Sequence, residues 1–275
     1  MRKSFFLFLF CVNCLATSFA QENDSIPTMT KVSFETNYGK FIVELYPETV
    51  KHRANFIKLV NSGYYDGLLF HRVIANFMIQ AGDPKSKNTS AGSVLGSGDV
   101  SYTIPAEFIY PQYYHKRGAL AAARQGDDTN PKKASSGAQF YIVQGHVYTV
   151  NDLRALERKA QRILVRDAYQ KKLAENKSLA YKLKSEKDPA KYDVLQDSIM
   201  REIRNELDDN PKYKFSKQQI IDYTTIGGTP HLDGEYTVFG EVIEGLDVID
   251  KISKVKVGKY DRPIEDVKIL SAKCL

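Results

Sequence analysis

From residue 31 to 145, and again from 219 to the end, the chain is broken into short apolar segments separated by glycine-bearing turns. A chain punctuated this way cannot make long helices there. It can make many brief strands. Residues 31–46, KVSFETNYGKFIVELY, alternate at Val32, Phe34, Phe41, Val43 and Leu45 about a turn at Asn37–Gly39, which predicts two paired strands. Pro47 opens a helix in which Val50, Ala54, Ile57, Leu59 and Val60 recur at helical spacing, and Gly63 ends it. Further strands are expected at Phe70–Ile74, Phe77–Ala81, 117–124, 138–145 and 236–242, with a closing strand in IEDVKILSA. EGLDVIDKISKV reads as a second short helix, and residues 84–101 as a loop. Many short strands, few helices and frequent glycine turns favour a mainly β, closed barrel over a parallel α/β sheet.

Residues 151–215 contain no glycine and are dominated by Leu, Ala, Lys, Arg and Glu. Leu153, Leu156, Ala160, Ile163 and Leu164 fall at helical spacing, and Pro189 divides the stretch into a long helix and a second one near Ala190–Leu207. About 16 basic and 12 acidic residues lie within it. The expected organisation is a barrel formed by 31–145 and 219–275, interrupted by an α-helical hairpin at 146–218. A solvated spacer with no specific role explains the composition of the insertion equally well.

The first twenty residues have the layout of an export signal: Arg2 and Lys3, an apolar run too short to span a bilayer, then Ser18 and Ala20 at the small-residue positions before a cleavage site. Residues 21–30 follow as a linker. The expected location is periplasmic or extracellular, the alternative being a chain anchored through an uncleaved signal. Cleavage after Ala20 removes Cys11 and Cys14 and leaves Cys274, so no internal disulfide is expected. No other run is apolar and long enough for a membrane span. A net charge of +6 is too modest to argue for a nucleic-acid partner.

One stretch poses a chemical question. In FHRVIANFMIQAGD (70–83), alternation puts Phe70, Arg72 and Ile74 on one face, and Met78 and Gln80 on one face of the next segment. A guanidinium among so many apolar side chains is costly to bury unless it is paired. Arg72 therefore either ends in a salt bridge or stands over an apolar pocket that takes a ligand.

FHRVIANFMIQAGD, GALAAAR (118–124), SSGAQFYIV (135–143) and HLDGEYTVFGEV (231–242) resemble, in order, the four sequence blocks of the cyclophilins, the peptidyl-prolyl cis-trans isomerases. The resemblance implies an eight-stranded antiparallel barrel closed by two helices, into which the helical segment is an addition. It implies that Arg72 donates to the proline nitrogen as the X-Pro bond rotates, with Gln80 steadying it. Phe77, Met78, Tyr141 and Leu232 match the apolar wall for the proline ring. Ala123 and Arg124 match the segment that pairs with residues before the proline, and Gln139 a glutamine that binds substrate backbone. His231 stands where a bulky aromatic is common, and Tyr236 where histidine is common. Tyr141 replaces a usual phenylalanine and adds a hydroxyl to the pocket. Substrates would be unfolded or extended X-Pro-containing chains.

The chemistry fits those residue types. Rotation about the prolyl amide meets a barrier of about 18–20 kcal/mol because resonance is broken. The lone pair returned to nitrogen can accept a hydrogen bond from a guanidinium that keeps its own proton. No metal, cofactor or nucleophile is needed, and His52, His71, His115, His146 and His231 show no metal-ligand spacing. The competing reading is a proline-peptide binding module or chaperone whose helical insertion docks a partner.

Overall fold

The computed structural model describes residues 29–90, 92–185, 189–207 and 214–275. The export signal expected at 1–20 and nearly all of the 21–30 linker lie outside the described residues. Eight strands form one antiparallel sheet: β1 (Thr30–Thr36), β2 (Gly39–Leu45), β3 (Arg72–Ile74), β4 (Met78–Ala81), β6 (Ala119–Ala122), β8 (Phe140–Val143), β9 (Val238–Glu244) and β10 (Ile269–Cys274). Their order across the sheet is β10-β1-β2-β9-β6-β8-β4-β3, and β5 (Thr103–Ile104) pairs separately with β7 (Ser135–Ser136). The β1–β2 hairpin turns at Asn37–Tyr38. The Asn37 amide donates to the Asp266 carbonyl and accepts from the Lys268 N–H, tying the hairpin to the approach to β10.

The expectation of a closed barrel is corrected by the edges. The sheet is an open half-barrel: β3 and β10 share no ladder, and only the chain before β3 reaches across. Phe70 donates to the Val267 carbonyl (2.8 Å) and Ile269 to that of Leu68 (2.8 Å), around a single bridge between Leu69 and Lys268. The reason lies in Phe70. Its ring is fully buried in the concave core near Phe41 and Phe140, whereas Ile74 packs against the apolar cluster on the opposite face. The strand begins only at Arg72, so Phe70, Arg72 and Ile74 do not share one face.

Helix α1 (Val50–Asn61) and a second helix that follows β9 cap the core. The buried side of α1 is His52, Phe56, Leu59 and Val60. Val50, expected on that side, is exposed, because its position is one residue past the Thr49 cap and outside the stripe set by Phe56. Phe34, Phe41, Phe56, Tyr65 and Phe140 fill the centre, with Phe34 and Phe41 stacked at 5.0 Å.

The insertion is more divided than a two-helix hairpin. It contains α2 (Val150–Glu175), α3 (Lys177–Ser185) and α4 (Pro189–Leu207), followed by α5 (Lys217–Thr225). The long helix expected up to Pro189 breaks at Asn176, whose amide donates to the Lys172 carbonyl (2.9 Å) and caps α2. Lys172 bridges to Glu202 (3.0 Å) and Glu206 (2.7 Å) of α4. Capping boxes start α2 at Thr149/Asp152 and α5 at Ser216/Gln219. The two ends of the insertion meet: Gly228 donates to the His146 carbonyl (3.1 Å) and His146 to that of Gly228 (3.4 Å). Only glycine fits this neck. Gly145 has φ +62°, and a Cβ there would lie 2.4 Å from the Gly228 carbonyl oxygen. The remaining capping helix is α6 (Leu246–Ser253), which buries Val248, Ile249 and Ile252.

Candidate active site

The alternation of five strands builds the site on the face opposite the aromatic core. Register places Arg72 opposite Gln80, Gln80 opposite Tyr141, Tyr141 opposite Ala121, and Ala121 opposite Val238. Side chains at matched positions point to one side of a sheet. Met78, Tyr141, Ala119, Ala121 and Val238 pack there as a second apolar cluster, with Phe77, Ala123, Leu232 and Tyr236 around it. Within that cluster opens a cavity of about 150 Å³ lined by Arg72, Phe77, Met78, Gln80, Ala123, Arg124, Tyr141, Leu232 and Tyr236. Nine of the eleven residues singled out in the sequence thus border one space. Gln139 and His231 do not line it.

Gln139 is buried behind Gln80, and the two amides form a directed chain. Arg72 Nη1 donates to Gln80 Oε1 (3.3 Å), and Gln80 Nε2 donates to Gln139 Oε1 (2.9 Å). Gln139 Nε2 donates to the carbonyls of Gly96 (3.0 Å) and Gly98 (2.5 Å). Each amide has its orientation fixed by the next, and the last rests on loop backbone. That loop is in turn gripped by the buried Asp83 carboxylate, which accepts from the Gly96 and Gly98 N–H groups. The other side of Arg72 meets Asp261, Nε to Oδ2 at 3.5 Å, with both side chains nearly half exposed. Arg72 therefore does both things posed by the sequence: it is paired, and it faces the pocket. Its neighbour His71 is buried, and burial pushes its imidazole down to about 4, so it is neutral at pH 7.

The rim is rigid. Phe77 follows the tight turn through Asn76, and its carbonyl accepts from the Gln144 and Gly145 N–H groups (3.0 Å each). Arg124 donates through Nε to the Glu235 carbonyl (2.9 Å), pairs with Asp127 (2.6 Å) and lies 4.4 Å from the centroid of the Tyr236 ring. His231 stands exposed outside the wall, stacked on Phe77 at 5.6 Å.

The extra hydroxyl of Tyr141 has partners that the sequence reading missed. It lies 2.9 Å from His115 Nε2, and His115 Nδ1 lies 3.0 Å from Asp233 Oδ1. Asp233 also accepts from the His115 N–H (2.9 Å), the Tyr223 hydroxyl (2.7 Å) and the Gln219 amide (3.4 Å). In a neutral imidazole, a carboxylate at Nδ1 leaves Nε2 to accept the Tyr141 O–H. Burial raises the Tyr141 phenol well above its ordinary value, so the proton stays. The hydroxyl is thereby committed to His115. The signal was available in principle, since a tyrosine in an apolar wall needs a partner. Its identity was not, because His115 and Asp233 are 118 residues apart in the chain. Among the described residues no cluster of His, Cys, Asp or Glu is arranged to hold a metal ion.

Known proteins match this architecture. The family model described as cyclophilin type peptidyl-prolyl cis-trans isomerase/CLD fits residues 31–158 and 210–274. A Staphylococcus epidermidis protein named as a peptidyl-prolyl cis-trans isomerase is 30% identical over 93% of this chain and 97% of its own length. A Streptococcus pyogenes protein, named as a bifunctional phosphatase/peptidyl-prolyl cis-trans isomerase, is 32% identical over 87% of this chain, which spans 37% of that relative. In fold, the chain is similar to the crystal structure of a Cryptosporidium parvum cyclophilin type peptidyl-prolyl cis-trans isomerase, with a TM-score of 0.51 at 21% identity over 90% of this chain and 98% of that one. Since the family model fits the sheet on both sides of the inserted helices, the chain belongs to the cyclophilin-type peptidyl-prolyl cis-trans isomerases.

Proposed function

We propose that the protein accelerates rotation about X-Pro bonds in exported, unfolded or extended chains, with Arg72 as the catalytic donor and Gln80 as its positioning partner. The observation that carries this reading is the pocket itself, a cavity with the apolar wall Phe77, Met78, Tyr141 and Leu232 and, facing it, the Arg72 guanidinium, whose Nη1 is aligned by an amide chain. Phe77, Met78, Tyr141 and Leu232 receive the proline ring. Withdrawal of the ring from water lowers the local dielectric and strengthens the hydrogen bond from Arg72 to the nitrogen as it becomes pyramidal. Preorganisation matters more than charge here. Gln80 and Asp261 already hold the guanidinium, so little rearrangement accompanies the twist. Arg124 offers its backbone to the extended residues before the proline, while Ala123, whose N–H and carbonyl are paired with Gln139 and Ser136, lines the groove with its side chain. Gln139 acts through Gln80, since it is buried behind it. His231 and Tyr236 set the outer limits of the groove.

The test is exchange of a short X-Pro peptide, followed by NMR or by a conformer-selective protease, with the wild type and Arg72→Ala compared. Turnover by the first and its loss in the second are expected. Export is part of the same reading, and it rests on the sequence of residues 1–20. Mass measurement of the native N-terminus should give Gln21; an intact Met1 or a lipid on Cys14 would count against it.

A further inference from the structure

The most conspicuous feature that isomerisation leaves unused is a groove of about 330 Å³ between α2 and the segment that carries Leu232. On one side, α2 presents Leu156, Ala160, Ile163 and Leu164, a stripe at helical spacing that is left half covered or exposed. Phe215 closes one part of it, and His231 stands on the far wall. Its acidic groups are engaged internally: Glu157 accepts from the Phe215 N–H (2.8 Å), Asp233 belongs to the His115 network, and Glu235 pairs with Lys133. Lys159 and Tyr110 also line the groove, and the larger part of its open lining is apolar.

The groove adjoins the proline pocket. Leu232 lines the pocket and His231 lines the groove, and the His231 ring stacks on Phe77 of the pocket wall. One residue's thickness separates the two spaces. An extended chain advances about 3.3–3.6 Å per residue, so a substrate seated by its proline reaches the groove within a few residues.

We propose that α2 and the pocket rim form a second subsite, which takes an apolar side chain of the same substrate polypeptide a few residues from the proline. The inference rests on the isomerase reading and adds a substrate preference to it. The insertion then selects X-Pro bonds lying near hydrophobic residues, the kind exposed in unfolded chains.

The experiment compares wild-type protein on three peptides with a common X-Pro core: unextended, extended on either side by serines, and extended likewise with a leucine two to four positions from the proline. Turnover of the unextended peptide tests the isomerase reading alone. Partial burial of a leucine should lower KM about tenfold against the serine series with kcat unchanged. Ile163→Glu, at a position already exposed, should erase that difference, and Ala160→Glu should do the same if circular dichroism shows the first variant misfolded. Equal KM for serine and leucine peptides, or a leucine advantage that survives both variants, overturns the proposal. So does a wild-type dimer, seen by sedimentation, that Ile163→Glu dissociates while KM ignores the leucine, because the groove is then a contact between copies.

Discussion

Replacing Arg72 with alanine separates catalysis from stability, and the structure gives the size of each effect. On the stability side, the guanidinium has two partners. The pair with Asp261 joins side chains that are 41% and 46% exposed at 3.5 Å. Exposed pairs of this kind contribute about 0–1 kcal/mol. The bond to Gln80 is long at 3.3 Å, and Gln80 keeps its other bond to Gln139 when Arg72 is gone. The fold should therefore lose no more than about 1 kcal/mol, which for a chain of this size is a fall in Tm of roughly 2–4 °C. On the catalytic side, the lost donor acts on a nitrogen that accepts only while the bond is twisted. By analogy with a single oxyanion-hole donor, its removal should reduce kcat/KM about 10²–10³-fold. Arg72→Lys keeps the charge but not the planar fork that Gln80 and Asp261 hold, so it should recover little of the loss. The assay is peptide exchange at matched protein concentration, beside thermal unfolding of all three proteins. A folded Arg72→Ala variant that retains a third or more of wild-type turnover refutes the assignment. A variant that loses activity because it unfolds leaves the argument about its exposed, replaceable contacts wrong.

Three further outcomes are expected. Tyr141→Phe should keep kcat/KM within about twofold, since the ring still forms the wall, yet lose about 1–3 kcal/mol of stability, since His115 Nε2 loses its buried donor; urea unfolding beside peptide exchange measures both. His71 should titrate near 4 by NMR, and because that value lies below the unfolded-state value near 6.5, protonation favours the unfolded chain. Its contribution is complete above pH 6.5, and about 3 kcal/mol of stability is lost as the pH falls from there to 4; a constant stability over that range would refute the burial argument. Replacing residues 151–215 with a Gly/Ser linker should leave a sheet that still acts on small peptides but is slower on a full-length protein substrate, most clearly at low salt, where the excess positive charge of the insertion is least screened. An unchanged ratio of protein-substrate to peptide rate would leave the insertion with no role in capture.

What the sequence made legible were features written locally. The β1–β2 hairpin, α6 and the strands around Met78–Ala81 and Phe140–Val143 each announce themselves by period and turn chemistry, and the residues lining the pocket sit in contiguous blocks. The misreadings arose where tertiary packing overrode a period. Alternation puts Phe70 on one face with Arg72, but filling the space near Phe41 and Phe140 turns it inward before the strand starts. The spacing that starts at Val50 puts that residue on the buried face of α1, but the stripe runs through His52 and Phe56, which this spacing passes over. Asn176 ends α2 through a side-chain cap that has no hydrophobic signature. The position of Gln139 behind Gln80 is likewise illegible locally, because its amide donates to the Gly96 and Gly98 carbonyls of a loop more than forty residues away.

The neck of the insertion shows why its boundary is a chemical matter rather than one of length. The chain leaves at Gly145–His146, directly after Gly145 has donated to the Phe77 carbonyl of the pocket wall. It returns at Gly228, immediately before the segment that supplies His231, Leu232 and Asp233. Among the described residues between those points, α5 alone sends side chains onto Asp233, through Tyr223 and Gln219. Asp233 also holds His115, and His115 holds Tyr141. Removing α2 to α4 leaves this chain of bonds whole. Removing everything from His146 to Gly227 strips two of the donors from a carboxylate whose side chain is 4% exposed. A buried carboxylate left short of donors costs several kcal/mol unless it takes up a proton, and either course disturbs its bond to His115. The helices α2 to α4 thus stand outside the hydrogen-bond network under the pocket, whereas α5 is part of its foundation.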